Sequence, residues 1–441
     1  MKKKILFITP YVPYPLNSGG NQAFFHMVDY IRSRMSVSIL LYPRHSAEMD
    51  NVKALQAKWP DVTFHLYRPQ PEKPVTNAPR VKHPLYLKWL LKAHASLGRK
   101  IRRQQQKIVQ PEGTPSDWVR AKSTLPMSIF GGLEAGYVNY VAQVARSGFD
   151  IVQVEFFEMI SLGYVLPENV ETIFVHHEPR YVRNNNEMHL FHTVTDMDRL
   201  LYGVSRDYER AALCRYKHLI TLTEVDRRLL ADFIGRADHI HVSPAVVSLP
   251  EETARTFHPA TTHRLTFVGS EDHYPNLDAV LWFCHEVVPL LRQKGFKFTF
   301  QVIGHWRSPY VQSLKKDCPE LELTGYVEDL HGFQQGSVAL VPIRIGAGMR
   351  MKIMDAISAG VPFVTTPKGV EGLDFRDGVE CLTALDPAAF ADAVIRLSDD
   401  TGLQERLSVQ AWKRLNELYD FPQLLRTRMA IYDSLPKAGT Q

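Results

Sequence analysis

The chain has 441 residues, more than one hydrophobic core usually serves, so two α/β domains are the first expectation. Its 45% hydrophobic and 22% charged residues give the balance of an ordinary soluble globular protein, and a net charge of +5 is too mild at this length to point to nucleic acid. Cys214, Cys284, Cys318 and Cys381 lie far apart with no CxxC pair, which fits reduced thiols in a cytoplasm rather than a disulfide framework or a zinc site.

The opening Met1-Lys2-Lys3-Lys4 is followed by an apolar run that stops at Thr9-Pro10. That run is too short for a signal-peptide core and has no small-residue cleavage site, so it predicts a first buried strand. No later apolar stretch approaches the ~20 residues that span a bilayer. Through the first half, β-rich runs predict strands at 4–9, 37–42, 62–67, 150–155, 171–176, 218–222 and 239–243. Helical periodicity falls at 20–34, 131–147 and 198–215 between them. The chain turns polar around 250–263, which predicts a linker over 251–263. The alternation then restarts, with strands at 264–269, 296–304, 321–324, 337–342 and 361–366 and a helix at 276–291. A helical tail over 403–435 closes the chain. This is the pattern of two successive doubly wound Rossmann-like units, and ligands of such sheets bind beyond the carboxyl ends of the strands.

Several stretches carry candidate chemistry. Gly19-Gly20 joins the first strand to the first helix, and by its residues alone reads as a plain tight turn. His176-His177-Glu178 ends another strand, where adjacent side chains point to opposite faces, so one histidine at most faces a cleft. Asp196-Met197-Asp198 has the Asp-x-Asp spacing of a divalent-metal grip, but it sits in a polar, helical segment and is assigned to the surface. No His, Cys and Asp cluster has metal-ligand spacing, and no metal is expected. Between Lys73 and Gln110 there are ten Lys or Arg and no Asp or Glu, interleaved with Leu85, Leu87, Trp89, Leu90, Leu91, Leu97 and Ile101. Such a segment suits an anionic lipid surface, or a solvated helix packed on its domain.

The most informative stretch runs from Pro342 to Gly360, from a strand through Gly346-Ala347-Gly348 into an amphipathic helix. Glycines and a helix N-terminus admit a phosphate closely, and Arg350 and Lys352 add positive charge. Lys352 and Asp355 share one helix face, so a phosphate lysine stands beside an acid that can grip ribose hydroxyls. An ordinary helix with a surface Lys-Asp pair explains the same residues equally well.

This stretch resembles the donor-binding motif of retaining GT-B glycosyltransferases, family four, in which one branch carries Gly-x-Gly-x-Arg-x-Lys-x-x-Glu-Ala. Further segments agree in order and spacing: Phe267-Val268-Gly269-Ser270, Pro275 to Ala279, Val302-Ile303-Gly304, Gly325 to Asp329, and Thr366 to Leu373. The resemblance implies a GT-B fold, with an acceptor-side domain over 1–250 carrying a basic insertion at 73–125. It also implies a nucleotide-sugar domain over 264–402, and a 403–441 tail returning to the first domain. It implies hexosyl transfer with retention from a nucleoside-diphosphate sugar to a glycan or lipid-linked acceptor, without cofactor or metal, in polysaccharide biosynthesis. Arg350 and Lys352 would hold the diphosphate, Asp355 the ribose, and backbone near Val327 the base. Gly19 and Gly20, with Gly346 and Gly348, would face the donor phosphates, and His177 would act at the reacting sugar with His176 in reserve. Two departures stand out: the first of two family glutamates is Ala347 here, and the second is the shorter Asp355. The setting implied is cytoplasmic, peripheral on the inner membrane face through about 80–108, with no nucleic-acid partner. A sugar-nucleotide epimerase of the same fold and an inactive membrane-docked partner are the other readings.

Overall fold

The computed structural model describes residues 2–16, 19–69, 120–246 and 256–437. By its contacts the chain divides into a unit of residues 1–67 and 124–441 and a unit of residues 68–123. The basic segment and the first five residues of the expected linker, 251–255, lie outside the described residues.

The larger unit holds two parallel sheets. The first comprises β1 (Lys4–Ile8), β2 (Ser36–Leu41), β3 (Thr63–Leu66), β4 (Ile151–Glu155), β5 (Glu171–His176), β6 (His218–Thr221) and β7 (Ile240–Val242), in the order β3-β2-β1-β4-β5-β6-β7. The second comprises β8 (Arg264–Val268), β9 (Thr299–Ile303), β10 (Leu321–Gly325), β11 (Val338–Val341), β12 (Phe363–Thr365) and β13 (Leu382–Thr383), in the order β10-β9-β8-β11-β12-β13. Every pairing between these strands is parallel. Helices cover both faces of such sheets, so the strands are apolar throughout rather than alternating. Ile5, Leu6, Phe7 and Ile8 of β1 are all fully buried, each contributing about 1.5–3 kcal/mol by leaving water. The architecture is GT-B, two Rossmann-like domains.

Strand order reverses between β1 and β4 in the first sheet, and between β8 and β11 in the second. Loops leaving the carboxyl ends of neighbouring strands diverge there and open a crevice. Beyond the carboxyl ends of these strands lie residues 9–16, Phe156, Gly269 and residues 342–350. Both crevices are therefore built from the segments that carry the candidate chemistry.

Two local departures have simple causes. The helix expected over 276–291 runs from Tyr274 to Gln293 but widens into a π-turn at Phe283–Val287; Pro289, just beyond it, has no N–H to donate back along the ladder. The tail divides its contacts. The Thr401–Leu418 helix anchors to the second domain, with Ser408 Oγ donating to the Gly360 carbonyl and Gln404 bonded to Ala260. The Phe421–Ser434 helix crosses to the first sheet, where Tyr432 donates to Gln153 and Arg428 to Ser243. Among the described residues, no helix is long and apolar enough to cross a membrane.

Candidate active site

The wall from the second domain begins at the end of β11. Gly346 and Gly348 have φ of 108° and 74°, a region closed to most side chains. A Cβ on Gly348 would lie 2.2 Å from the His177 carbonyl oxygen, so the loop presses directly on the first domain. The helix beyond starts at Met351, with Arg350 at the N-cap position and no side chain capping its first turn. It ends where Gly360 turns left-handed, with Val361 N–H bonded to the Ala356 carbonyl and Gly360 N–H to that of Ile357. Ile353, Ala356 and Ile357 are buried under the second sheet, which turns Lys352 and Asp355 toward the cleft.

The loop amides are directed differently from the sequence-based expectation. Gly346 N–H donates to Asn186 Oδ1 (3.2 Å), Ala347 N–H to Glu178 Oε1 (3.3 Å) and Gly348 N–H to Asp226 Oδ2 (3.1 Å). All three acceptors belong to the first domain, so these amides bind protein oxygen rather than facing an open anion site. Arg350 is nearly buried and donates to the Ala347, Gly348 and Lys368 carbonyls, stiffening the loop from within.

Lys352 and Asp355 line the cavity on the next helical turn. Lys352 Nζ donates to Asn276 Oδ1 at 2.6 Å and lies 5.0 Å from the centre of the Phe267 ring. Burial, with Arg350 nearby, lowers the lysine to about 7, against the pull of Asp355. Burial also raises Asp355 to about 6, opposed by Lys352. Both shifts have one main cause, the desolvation that penalises the ionised forms.

The facing wall comes from β1, β4 and β5. Gly19 opens the first helix, and a Cβ there would lie 2.9 Å from Met351 Cγ, so the Gly-Gly turn does oppose the second-domain loop. The two histidines separate as strand alternation requires. His176 is buried, and its Nε2 meets Glu209 at 2.7 Å. Glu209 also accepts the Arg180 and Tyr181 amides at the start of the Arg180–His189 helix, making this a structural link. His177 is 30% exposed at its side chain, with Nε2 2.6 Å from Glu155 Oε2 and its ring stacked on Phe156 at 4.1 Å. Phe156 has φ of 68°, an uncommon conformation for a bulky residue, and it sets that ring beside the histidine.

Glu178 follows. Arg183 bonds it at 3.1 Å and bonds the fully buried Glu187 at 3.0 Å. Burial works to raise Glu178, but Arg183, His273, Arg180 and Arg350 outweigh it and hold the acid at about 2. His273, from the second domain, is lowered to about 3 by burial and by Arg183.

These walls enclose about 490 Å³. Of the residues singled out from sequence, His176, His177, Ala347, Arg350, Lys352 and Asp355 line this space. Gly20 lines two smaller recesses beside it, and Gly19, Gly346 and Gly348 shape the walls by close approach. Val327 lies outside the lining, just past β10, where exposed Tyr326 stacks on His305 at 6.5 Å. Asp196 and Asp198 diverge: Asp196 is exposed and pairs with Arg199, while Asp198 closes a capping box with Thr195. Sequence reasoning passed over Glu155, Phe156, Arg183 and His273. Glu155 left one signal, a carboxylate at the carboxyl end of a fully buried parallel strand.

Residues 262–400 match a family model described as glycosyl transferases group 1. An uncharacterized 44.6 kDa protein of the Klebsiella pneumoniae cps region is 24% identical over 162 residues, 35% of this chain; the match spans 42% of that protein's length. Among solved structures, S. aureus TarM bound to fondaparinux, alpha-GlcNAc-glycerol and UDP superposes with a TM-score of 0.65 at 9% identity, covering 98% of this chain and 100% of the other. Anabaena HepE with UDP and glucose gives 0.62 at 13% identity, covering 99% and 100%. Sucrose-phosphate synthase from Thermosynechococcus elongatus gives 0.65 at 14% identity, covering 98% and 99%.

Proposed function

We propose that this chain is a glycosyltransferase that moves a hexosyl group from a nucleoside-diphosphate sugar to an acceptor hydroxyl, with retention, in the cavity between its two sheets. One observation carries the reading. Lys352 and Asp355 open into that cavity from an uncapped helix N-terminus, opposite His177 and beside the Gly19 turn. The family match over this segment and the UDP complexes of similarly folded proteins point the same way.

Cleavage of the anomeric C–O bond puts negative charge on the departing diphosphate. Lys352 and the helix N-terminus meet that charge where it develops, so they favour the transition state over the bound donor. Arg350 holds the loop in place and adds its positive field. Asp355 accepts from ribose hydroxyls. With Nε2 donating to Glu155, His177 keeps Nδ1 to accept a hydrogen bond from the reacting sugar, and the stacked Phe156 fixes the ring plane. The acceptor hydroxyl attacks on the face the diphosphate leaves, and the phosphate takes its proton. This scheme uses no metal ion, and turnover in EDTA is expected to equal that in its absence. The acceptor is a glycan or lipid-linked glycan, presented at an anionic membrane surface on the cytoplasmic side.

A thermal-shift and calorimetric screen of UDP-, GDP- and ADP-sugars tests donor class directly. With the donor found, Lys352→Ala should lower turnover at least tenfold, about 1.4 kcal/mol or more. Wild-type kinetics in that variant would remove Lys352 from the mechanism.

A further inference from the structure

One stretch of the second-domain wall offers a sugar no polar side chain. From Ile343 to Met349 the side chains lining it are Ile343, Ile345, Ala347 and Met349, all apolar. The amides of Gly346, Ala347 and Gly348 already donate to first-domain oxygens. A pyranose against this wall carries several hydroxyls, and buried hydroxyls without partners are costly. Along this stretch their partners come from elsewhere in the cavity, and directly opposite stands the first-domain wall.

Glu178 is placed to supply them. It lines the same cavity, stands next to His177, and brings Oε1 to 3.3 Å from Ala347 N–H and Oε2 to 3.1 Å from Arg183. Two hydrogen bonds leave about half of a carboxylate's acceptor capacity open, and its side chain retains 19% exposure. Arg183 does not need Glu178 as its only counter-charge. It is also bonded to Glu187, which is fully buried and further tied to the Thr124 amide and hydroxyl. Glu178 is therefore a second acid beside an arginine that already has one, fixed in place and facing the ligand space. Its surroundings also keep it ionised, and so accepting only, at any physiological pH.

We propose that Glu178 is the carboxylate that reads the hydroxyls of the donor sugar, supplied by the first domain where Ala347 leaves the second-domain loop without one. This rests on the glycosyl-transfer reading above, and makes sugar recognition depend on both domains meeting at the loop. It also separates tasks within the cavity: Lys352 and Asp355 hold the nucleoside diphosphate, and Glu178 discriminates the sugar.

The test is calorimetry on the full chain with three matched pairs: UDP and UDP-glucose, GDP and GDP-mannose, ADP and ADP-glucose. For the pair that the wild type binds, Glu178→Gln should weaken the sugar nucleotide at least about tenfold, the value of a hydrogen bond to a charged group, and the free diphosphate less than about twofold. Equal losses for both ligands, or no loss for either, would overturn the proposal. A second variant guards against a distorted loop. Glu178→Ala combined with Ala347→Glu returns a carboxylate to the same space from the other wall, and should recover at least half of the lost sugar-nucleotide affinity on a logarithmic scale. No recovery in a variant that still binds the free diphosphate like wild type also counts against it. If the wild type binds neither member of any pair, the glycosyl-transfer reading itself falls, an outcome distinct from those above.

Discussion

Lys352→Met separates a binding group from a stabilising one. An ordinary lysine titrates at 10.5, whereas burial holds this one at about 7. Between those values the unfolded chain binds a proton that the folded chain releases, so this residue's contribution to stability rises with pH across that window. At pH 7 the linkage opposes folding by roughly 4 kcal/mol. Methionine keeps the length of the side chain and removes the charge. It also removes the 2.6 Å hydrogen bond to Asn276, a loss of about 1.5–3 kcal/mol for a bond to a charged donor. Desolvation is the larger effect, and Lys352→Met should be more stable than wild type by about 1–3 kcal/mol at pH 7. Urea unfolding at pH 7 and pH 9 measures this, and the advantage should shrink by about 2 kcal/mol at the higher pH as the wild-type penalty fades. Donor binding, followed by calorimetry, should be lost in the same variant. A variant no more stable at pH 7, with a gap that ignores pH, would show that Lys352 is not a destabilised cation held for a ligand.

Other expectations follow from single contacts. Gly348→Ala sets a Cβ 2.2 Å from the His177 carbonyl at a φ of 74°, and should cost about 2 kcal/mol or more in chemical denaturation while weakening donor binding. Glu155→Gln leaves His177 stacked on Phe156 but weakens its orientation; kcat should fall by about tenfold or more with KM for the donor little changed, and an equal change in both would count against a positioning role. His176→Ala removes one of three hydrogen bonds to the buried Glu209 and leaves its two backbone amide donors in place, so chemical denaturation should show a loss of about 1–3 kcal/mol. Activity per folded molecule should stay near wild type, and a selective loss of activity in a stable protein would return His176 to the chemistry.

Much of this arrangement was legible in the residues. Continuous apolar runs such as Ile5–Ile8 mark strands buried on both faces, and the restart of the alternation at Arg264 marks a second sheet. Alternation along β5 separates His176 from His177, and in the structure His176 is buried against Glu209 while His177 is the more exposed of the two, both bordering the cavity. The placement of Gly346–Gly348 before a helix marked the loop, and Lys352 and Asp355 three residues apart marked the face that lines the cavity.

What the chain order could not disclose is which groups of the two domains meet. Glu178 and Ala347 are 169 positions apart, and Asp226 and Gly348 are 122 apart. The sequence by itself determined two parallel sheets, their loops at the carboxyl ends and the cationic helix start, because local periodicity, glycine conformation and helix polarity act over a few residues. Tertiary structure alone decided that the loop amides turn to first-domain oxygens, that Glu155 orients His177, and that an ionised Glu178 faces the apolar wall. Those outcomes depend on through-space distance and desolvation, which take their values only once the two sheets are packed together.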